Sequence, residues 1–466
     1  DSEIFRNKDY LHFSQKVNCH FYNFFVIKRI INYCNLKNII FIKSKNIIEN
    51  IKLKEKKNLI NIKLLFFKYL DLILSIISFK VNRICFDSLI YPLKYFINLC
   101  FKLKIIPSKN INFFKNQKSI NTKLYNTKKR NQNLLKITKN KHDKFYNYLL
   151  ENILIDLPMS YYESFESIRN QILNKSKNKK IIFSMHSILT NDLFKIYVAE
   201  TKKIGSKLIC VDHGGQIHKH RALFDHLNLI CDEQVHWNIR DKNYKFSNRL
   251  SPTLINPSLK LQNTKDNFCT VLTSEPQVFK TRCHSIPGLD DWIREFEDVL
   301  FLCKSLKPTI KKKLKLRAKH LNNIDINKKF SKAFGKDSID NFNSNSDFKK
   351  TISKSKLIIF TYPQTSYLES MYYNKPSILL LWKKDWIFQD IFYKHIKIFE
   401  KNNMAFEKMK TASKFINKDW NNIEEWWGSN RVQTSRKAFL NDFFKINKNW
   451  HQDWTNYIKK QRRKLG

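Results

Sequence analysis

The sequence predicts an α/β protein with two Rossmann-like domains facing a cleft, followed by C-terminal helices. Three observations carry that expectation. A strand-like run, a helical stretch, a glycine stop and a second strand-like run follow one another within residues 180–211, the order of a βαβ unit and therefore of a parallel sheet. The same alternation returns after residue 270. Between the two, Pro252 and Pro257 punctuate residues 251–258, which places the boundary between a domain of residues 1–255 and one of residues 256–466.

At 466 residues the chain is too long for one core and suits two domains of ordinary size. Hydrophobic residues make up 42% and aromatics 14%, ample material for packed interiors and the reverse of a disordered composition. The formal charge of +46 raises a nucleic-acid reading, since clustered Lys and Arg neutralise phosphates. Here the basic residues are mostly Lys, spread along the whole chain, and accompany abundant Asn, Ile and Phe with only 7 Gly and 10 Pro. AT-rich coding produces that bias in any protein. Whatever its origin, such a surface attracts phosphates and anionic head groups. The nine cysteines are scattered and form no C-x-x-C pair, which fits a reducing compartment better than a disulfide framework or a zinc site. The chain opens on Asp1 without the pattern of a secretory signal, which leaves the true start of the protein open.

Residues 1–150 alternate apolar with Lys- and Asn-rich runs. Strands are expected at 35–42 and 58–62 and a helix at 66–79; the polar, poorly patterned stretch 108–141 reads as a loop or insertion. The most apolar stretches, 64–79 and 84–106, are interrupted by Lys68, Asp71, Asp87 and Lys94. Neither reaches the roughly 20 apolar residues that span a bilayer, so both are expected to be buried or interfacial helices. No chemistry is visible before residue 150.

From Leu157 the pattern sharpens. Residues 180–185 (KIIFSM) read as a strand and 191–203 as a helix with Asp192 favouring its N-terminus; Gly205 is its stop, and Lys207–Val211 the next strand. Another strand is expected at 232–237. The second domain offers strands at 270–274, 313–317, 356–361 and 377–381, helices at 289–306, 346–355 and 366–373, and a turn at 374–376. From Thr411 onward the chain is helical and rich in Trp.

Three constellations could carry chemistry. Asp212-His213-Gly214-Gly215 directly follows a strand, where ligands bind in doubly wound sheets. Adjacent glycines permit positive φ and let a ligand approach the backbone, while His213 can take a proton from a hydroxyl or steady a leaving phosphate. A tight turn with a merely hydrogen-bonded His is the structural alternative. His218, His220, His226 and His236 follow, but no carboxylate or Cys completes a metal spacing, and Lys219 and Arg221 sit among them, so no metal is assigned.

In the second constellation a strand ends at Thr361 and a helix opens at Thr365 or Ser366, whose hydroxyls are expected to cap it. Its N-terminus suits a diphosphate, and Glu369, one turn in, a pair of ribose hydroxyls; an ordinary N-cap with a first-turn acid is the alternative. The third is the basic run 314–320, where Arg317 could grip a phosphate or be part of a solvated charge run.

The segments Pro158-Met159-Ser160-Tyr161-Tyr162-Glu163-Ser164-Phe165, Asn191-Asp192-Leu193-Phe194-Lys195, Gly205-Ser206-Lys207-Leu208 and His213-Gly214-Gly215 resemble, in that order, the surface-carbohydrate transferases of spirochaete lipopolysaccharide loci. So do residues 356–361, Thr365, Leu368-Glu369, Asn374-Lys375-Pro376, Ile423-Glu424-Glu425-Trp426-Trp427 and Arg431-Val432-Gln433. The similarity spans about 157–457. More distantly, the His-Gly loop and the Thr-Ser-x-x-Glu helix are similar to those of CDP-glycerol glycerophosphotransferases and capsule transferases. Those enzymes have the GT-B architecture.

Asp212, Gly214 and Gly215, as neighbours of His213 in its loop, are expected to bind substrate. The resemblance implies that His213 is catalytic, that Thr365, Ser366 and Glu369 bind the donor, and that Arg317 binds substrate. It departs at Asp212, where the family more often has Gln, and at Gln216-Ile217-His218, where a further Gly is usual.

The expected activity is transfer of a glycosyl or related group from a nucleotide-activated donor on the C-terminal domain to a carbohydrate or lipid-linked acceptor on the N-terminal one. No metal or other cofactor is called for, and the expected location is cytoplasmic, with peripheral contact to an anionic inner membrane. The competing readings are a nucleic-acid-binding protein, which charge alone favours, and a non-catalytic scaffold of an envelope-assembly complex.

Overall fold

Among the described residues, two parallel five-stranded sheets organise the fold. The computed structural model describes residues 73–74, 77, 82–87, 91–107, 126–137, 144, 147–148, 152–153, 157–173, 179–214, 221–237, 247–253, 266–273, 289–318, 326–340 and 348–464. The first sheet sets β1 (Ile84–Asp87), β2 (Ile181–Ser184), β3 (Lys207–Val211), β4 (Glu233–His236) and β5 (Ser247–Arg249) side by side in chain order. The second contains β6 (Phe268–Thr273), β7 (Leu314–Ala318), β8 (Ser355–Phe360), β9 (Ser377–Leu380) and β10 (Ala405–Phe406), in the order β10-β9-β8-β6-β7. The strands all run parallel, but the order in which they are added reverses between β6 and β8. Doubly wound sheets bind ligands at such a switch point, beyond the strands' carboxyl ends.

The strands are short and apolar because both faces of a parallel sheet are covered. Along the first sheet, Ile84, Phe86, Ile181, Phe183, Ile209 and Val211 join one core cluster, while Cys85, Ile182, Leu208 and Cys210 join another. That is the two-residue alternation of a pleated strand.

The helices that matter here in the first half are α1 (Leu93–Lys102), α2 (Thr127–Ile137), α3 (Phe165–Leu173), α4 (Ser187–Thr190), α5 (Asp192–Lys203) and α6 (Arg221–Ile230). Helix α5 begins as expected: the Asn191 side chain accepts the Phe194 N–H at 3.1 Å, and Asp192 lies in the first turn. Gly205 stops it with φ +90°, a conformation that costs glycine little. The second half contributes α7 (Leu289–Lys304), α8 (Phe348–Lys354), α9 (Thr365–Tyr372), α10 (Asn430–Phe443) and α11 (Trp450–Arg463).

Three expectations are corrected. Residues 84–106 are not one helix: Ile84–Asp87 is a strand beside β2, and the helix starts only at Leu93, after Pro92. A run apolar on both faces looks alike as a buried strand or a buried helix, and pairing decided it. The stretch 108–141 holds α2, which carries the buried Arg130 that grips Glu163. The helix after β8 is preceded by Gln364 as its cap residue, so Thr365 and Ser366 lie inside it. The strands expected at 35–42 and 58–62 lie outside the described residues, as does most of 66–79.

The last helix, α11, returns to the first sheet. Its Trp450 ring lies 5.0 Å from Tyr91, and Trp454 Nε1 donates to the Ser251 carbonyl at 2.9 Å. Tyr457 Oη and Gln461 Nε2 donate to the Glu233 carboxylate at 2.8 and 2.6 Å, and Lys207 Nζ joins at 2.6 Å. Burial pushes the Glu233 carboxyl up, but the bonds from Lys207 and Tyr457 outweigh it and hold it below the usual carboxylate range.

Candidate functional site

The carboxyl ends of the first sheet gather a set of polar side chains. Asp87 ends β1 and is buried; it accepts Ser184 Oγ at 2.7 Å and the Ser187 N–H at 3.2 Å. Ser184 Oγ in turn accepts the Ile188 N–H at 3.3 Å. These bonds fix the turn between β2 and α4, and with it His186, which precedes α4. His186 Nδ1 lies 3.1 Å from Thr190 Oγ1. Its ring meets His213 edge to face, with centroids 5.3 Å apart and planes at 76°.

His213 owes its place to Asp212. That residue continues β3 through its N–H, which donates to the Val235 carbonyl at 3.0 Å. Its buried carboxylate accepts the Trp237 N–H and faces His236 Nδ1, each at 3.2 Å. Asp212 is therefore turned into the sheet and positions the loop, whereas the expectation from sequence had it bind substrate. His213 and Gly214 are half-buried just beyond the carboxyl end of the central strand β3.

Gly214 does not occupy the left-handed region, contrary to the expected use of its freedom. The absence of a side chain serves close approach instead: a Cβ there would lie 3.0 Å from Thr365 Oγ1. This contact joins the two sheets, because Thr365 opens α9 just beyond the carboxyl end of β8. It also lies beside the switch point of the second sheet, where the Thr361 N–H donates to the Leu272 carbonyl at 3.1 Å and Thr361 Oγ1 meets Thr273 Oγ1 at 3.3 Å. The His213 loop and the start of α9 thus share one locus, and they touch rather than stand apart.

The cap of α9 differs from expectation. Gln364, in extended conformation, is the cap residue, and its side chain makes no capping bond. Thr365 and Ser366 are its first two residues, half-buried, with Glu369 one turn further on the Thr365 side. The N–H groups of this first turn and the positive end of the helix dipole lie beyond the carboxyl end of β8, an arrangement that favours an anion.

Arg317 is not brought to this locus. It is buried on β7, the edge strand, where Nη1 donates to Thr351 Oγ1 of α8 at 2.7 Å and pairs with Asp340 Oδ2 at 3.3 Å, its guanidinium lying over the Phe348 ring. Gly215, His218 and His220 lie outside the described residues. His236 is engaged with Asp212, and burial together with Lys195 lowers the pKa of His226 on α6. Among the described residues no three His, Cys, Asp or Glu side chains converge as metal ligands do.

Sequence reasoning missed Asp87, Ser184 and His186. Asp87 sat in a stretch read as helix, and nothing marked His186 except its place right after a β-strand, the position that singled out His213.

Several segments that prompted the resemblance are structural. Glu163 receives a bidentate grip from the fully buried Arg130, at 2.7 Å from Nε and 2.5 Å from Nη2. Tyr161 Oη donates to Asp192 at 2.5 Å. Trp427 Nε1 reaches both the carbonyl and Oδ1 of Asn374 at 3.0 Å, clasping the paired tryptophans to the turn before β9.

Solved structures with a similar course include the glycotransferase of kitacinnamycin (8% identity, 66% of this chain and 85% of that one, TM-score 0.35). Others are Acinetobacter baumannii MurG (12%, 64% and 79%, 0.36) and the wall teichoic acid polymerase TagF (12%, 66% and 87%, 0.34). Likeness of this degree transfers no residue role and no substrate. No curated protein matches the chain as a sequence relative. The model of the LIC12162 family transferases matches residues 1–458, nearly the whole chain. With its two facing α/β units and this match along its length, the chain belongs to the LIC12162 family of transferases.

Proposed function

We propose that the chain transfers a glycosyl or related group from a nucleotide-activated donor to a surface-carbohydrate precursor, at the seam between Gly214 and Thr365. The observation that carries this reading is their contact. It sets the His213 loop against a sheet switch point and a helix N-terminus, both suited to a nucleoside diphosphate.

The diphosphate lies across the N–H groups that open α9, with the Thr365 and Ser366 hydroxyls beside its oxygens and Glu369 at the ribose. As the acceptor oxygen attacks, His213 takes its proton. The bond between the transferred group and the diphosphate breaks, and its electron pair leaves on the nucleoside diphosphate. The His186 ring, edge to face against His213 at 5.3 Å, steadies the imidazole for its role as base. The helix dipole and the surrounding positive field stabilise the leaving charge, so the step is assigned no metal. The acceptor is carbohydrate or lipid-linked and is met on the cytoplasmic face of the inner membrane.

A panel of nucleotides and nucleotide sugars, scored by thermal stabilisation, identifies the donor. His213→Ala should keep nucleotide affinity while turnover falls by about 10²–10⁴. Thr365→Ala with Glu369→Ala should weaken nucleotide affinity in calorimetry. Full activity in the first variant, or unchanged affinity in the second, overturns the reading.

A further inference from the structure

Helix α1 buries one face and leaves another bare. Phe96, Leu99 and Cys100 pack into the core. On the outer side Leu93, Ile97 and Phe101 are 68%, 48% and 85% exposed. Their four-residue spacing makes a continuous apolar stripe at about 100° per residue, and the next row around the helix carries Lys94 and Lys102. Three large apolar side chains in a row differ from scattered exposed ones, which need no explanation.

Helix α11 adds charge to this face. Its Arg462 Nη1 donates to the Leu103 carbonyl at 2.7 Å, and Lys102 Nζ reaches Gln452 Oε1 at 3.0 Å. The exposed Lys459, Lys460 and Arg463 stand on this same helix. No acidic residue lies on α1 itself.

The geometry points to this face as a docking surface for an anionic lipid bilayer, with the Leu93–Ile97–Phe101 stripe inserted at the acyl boundary and the flanking Lys and Arg on the head groups. Complementarity selects this occupant: an apolar stripe bordered by cations matches the layered chemistry of a bilayer rim. The helix has 10 residues, too short to span, and lies in the interface plane. Because α1 follows β1, its Leu93 end sits on the sheet edge that carries Ser184 and His213, so a lipid-linked acceptor would be presented beside the proposed site. Docking itself does not depend on the transferase reading; only that use of it does.

The test sediments the full chain with vesicles of phosphatidylcholine alone and of phosphatidylcholine mixed with phosphatidylglycerol, without nucleotide. Binding to the mixed vesicles that weakens with salt is expected. The triple variant Leu93→Ser, Ile97→Ser, Phe101→Ser should lose at least about tenfold in vesicle affinity at unchanged melting temperature and nucleotide affinity. Lys328→Ser with Lys332→Ser, exposed lysines of the other domain, should bind as the parent does. Equal binding by the triple variant and the parent overturns the proposal, as does absence of binding to mixed vesicles. A parent that is dimeric in light scattering and becomes monomeric in the triple variant overturns it too, since a second copy then covers the stripe.

Discussion

Gly214 and Thr365 are in contact across the two sheets, with room for a hydrogen but not for a comfortable methyl: a Cβ on the glycine would lie 3.0 Å from the threonine hydroxyl. One residue follows β3 and the other follows β8, so this contact fixes how the His213 loop addresses the helix start at the crevice.

Gly214→Ala should force Thr365 Oγ1 aside and cost on the order of 1 kcal/mol of stability. Combined with Thr365→Ala, the loss should be smaller than the sum of the two single losses, because the second change removes the atom being struck. Strict additivity in denaturant titrations would mean that the two residues do not touch in solution.

His186→Ala should reduce turnover by about tenfold to a hundredfold while nucleotide affinity stays the same, since the ring braces His213 rather than holding the donor. The pH–rate profile should shift as well. A variant with parental turnover and profile would remove His186 from the site.

The Arg130–Glu163 pair is a stability device. The guanidinium hydrogen bonds hold the Glu163 carboxyl down to about 2. Its folded pKa lies below the unfolded value of about 4.3, so its contribution is complete above that value and is lost as pH falls toward 2. Glu163→Ala leaves a buried guanidinium without its partner and should cost on the order of 3 kcal/mol at neutral pH. The deficit relative to the parent should shrink in acid, as thermal melts from pH 7 down to pH 3 would register.

Glu295 behaves oppositely. Burial on α7 pushes its carboxyl up to about 8, against the Trp386 Nε1 hydrogen bond at 3.0 Å. A raised pKa means that stability is fully present below the unfolded value and is lost as pH rises to the folded one. The parent should therefore lose about 2 kcal/mol between pH 6 and pH 8 from this group. Glu295→Gln keeps an acceptor for Trp386 without the charge and should be flat over that range. Parallel curves for the two proteins would refute the assignment.

From the sequence alone, local features were legible. The apolar runs of β2, β3, β6, β8 and β9, the Gly205 stop and the start of α5 could all be read, because each depends on residues adjacent in the chain. The loops bearing His213 and Thr365 were legible for the same reason: each follows a strand. What required the tertiary structure is everything set by partners distant in sequence. Pairing with β2 made Ile84–Asp87 a strand and brought Asp87 to Ser184. Packing turned Asp212 toward His236 and buried Arg317 against Asp340 and Thr351. Only the meeting of two separate sheets showed that Gly214 is small for the sake of Thr365 rather than for its own backbone angle. Periodicity and turn chemistry are written within a few residues, whereas the direction in which a side chain spends its hydrogen bonds depends on what the fold places opposite it.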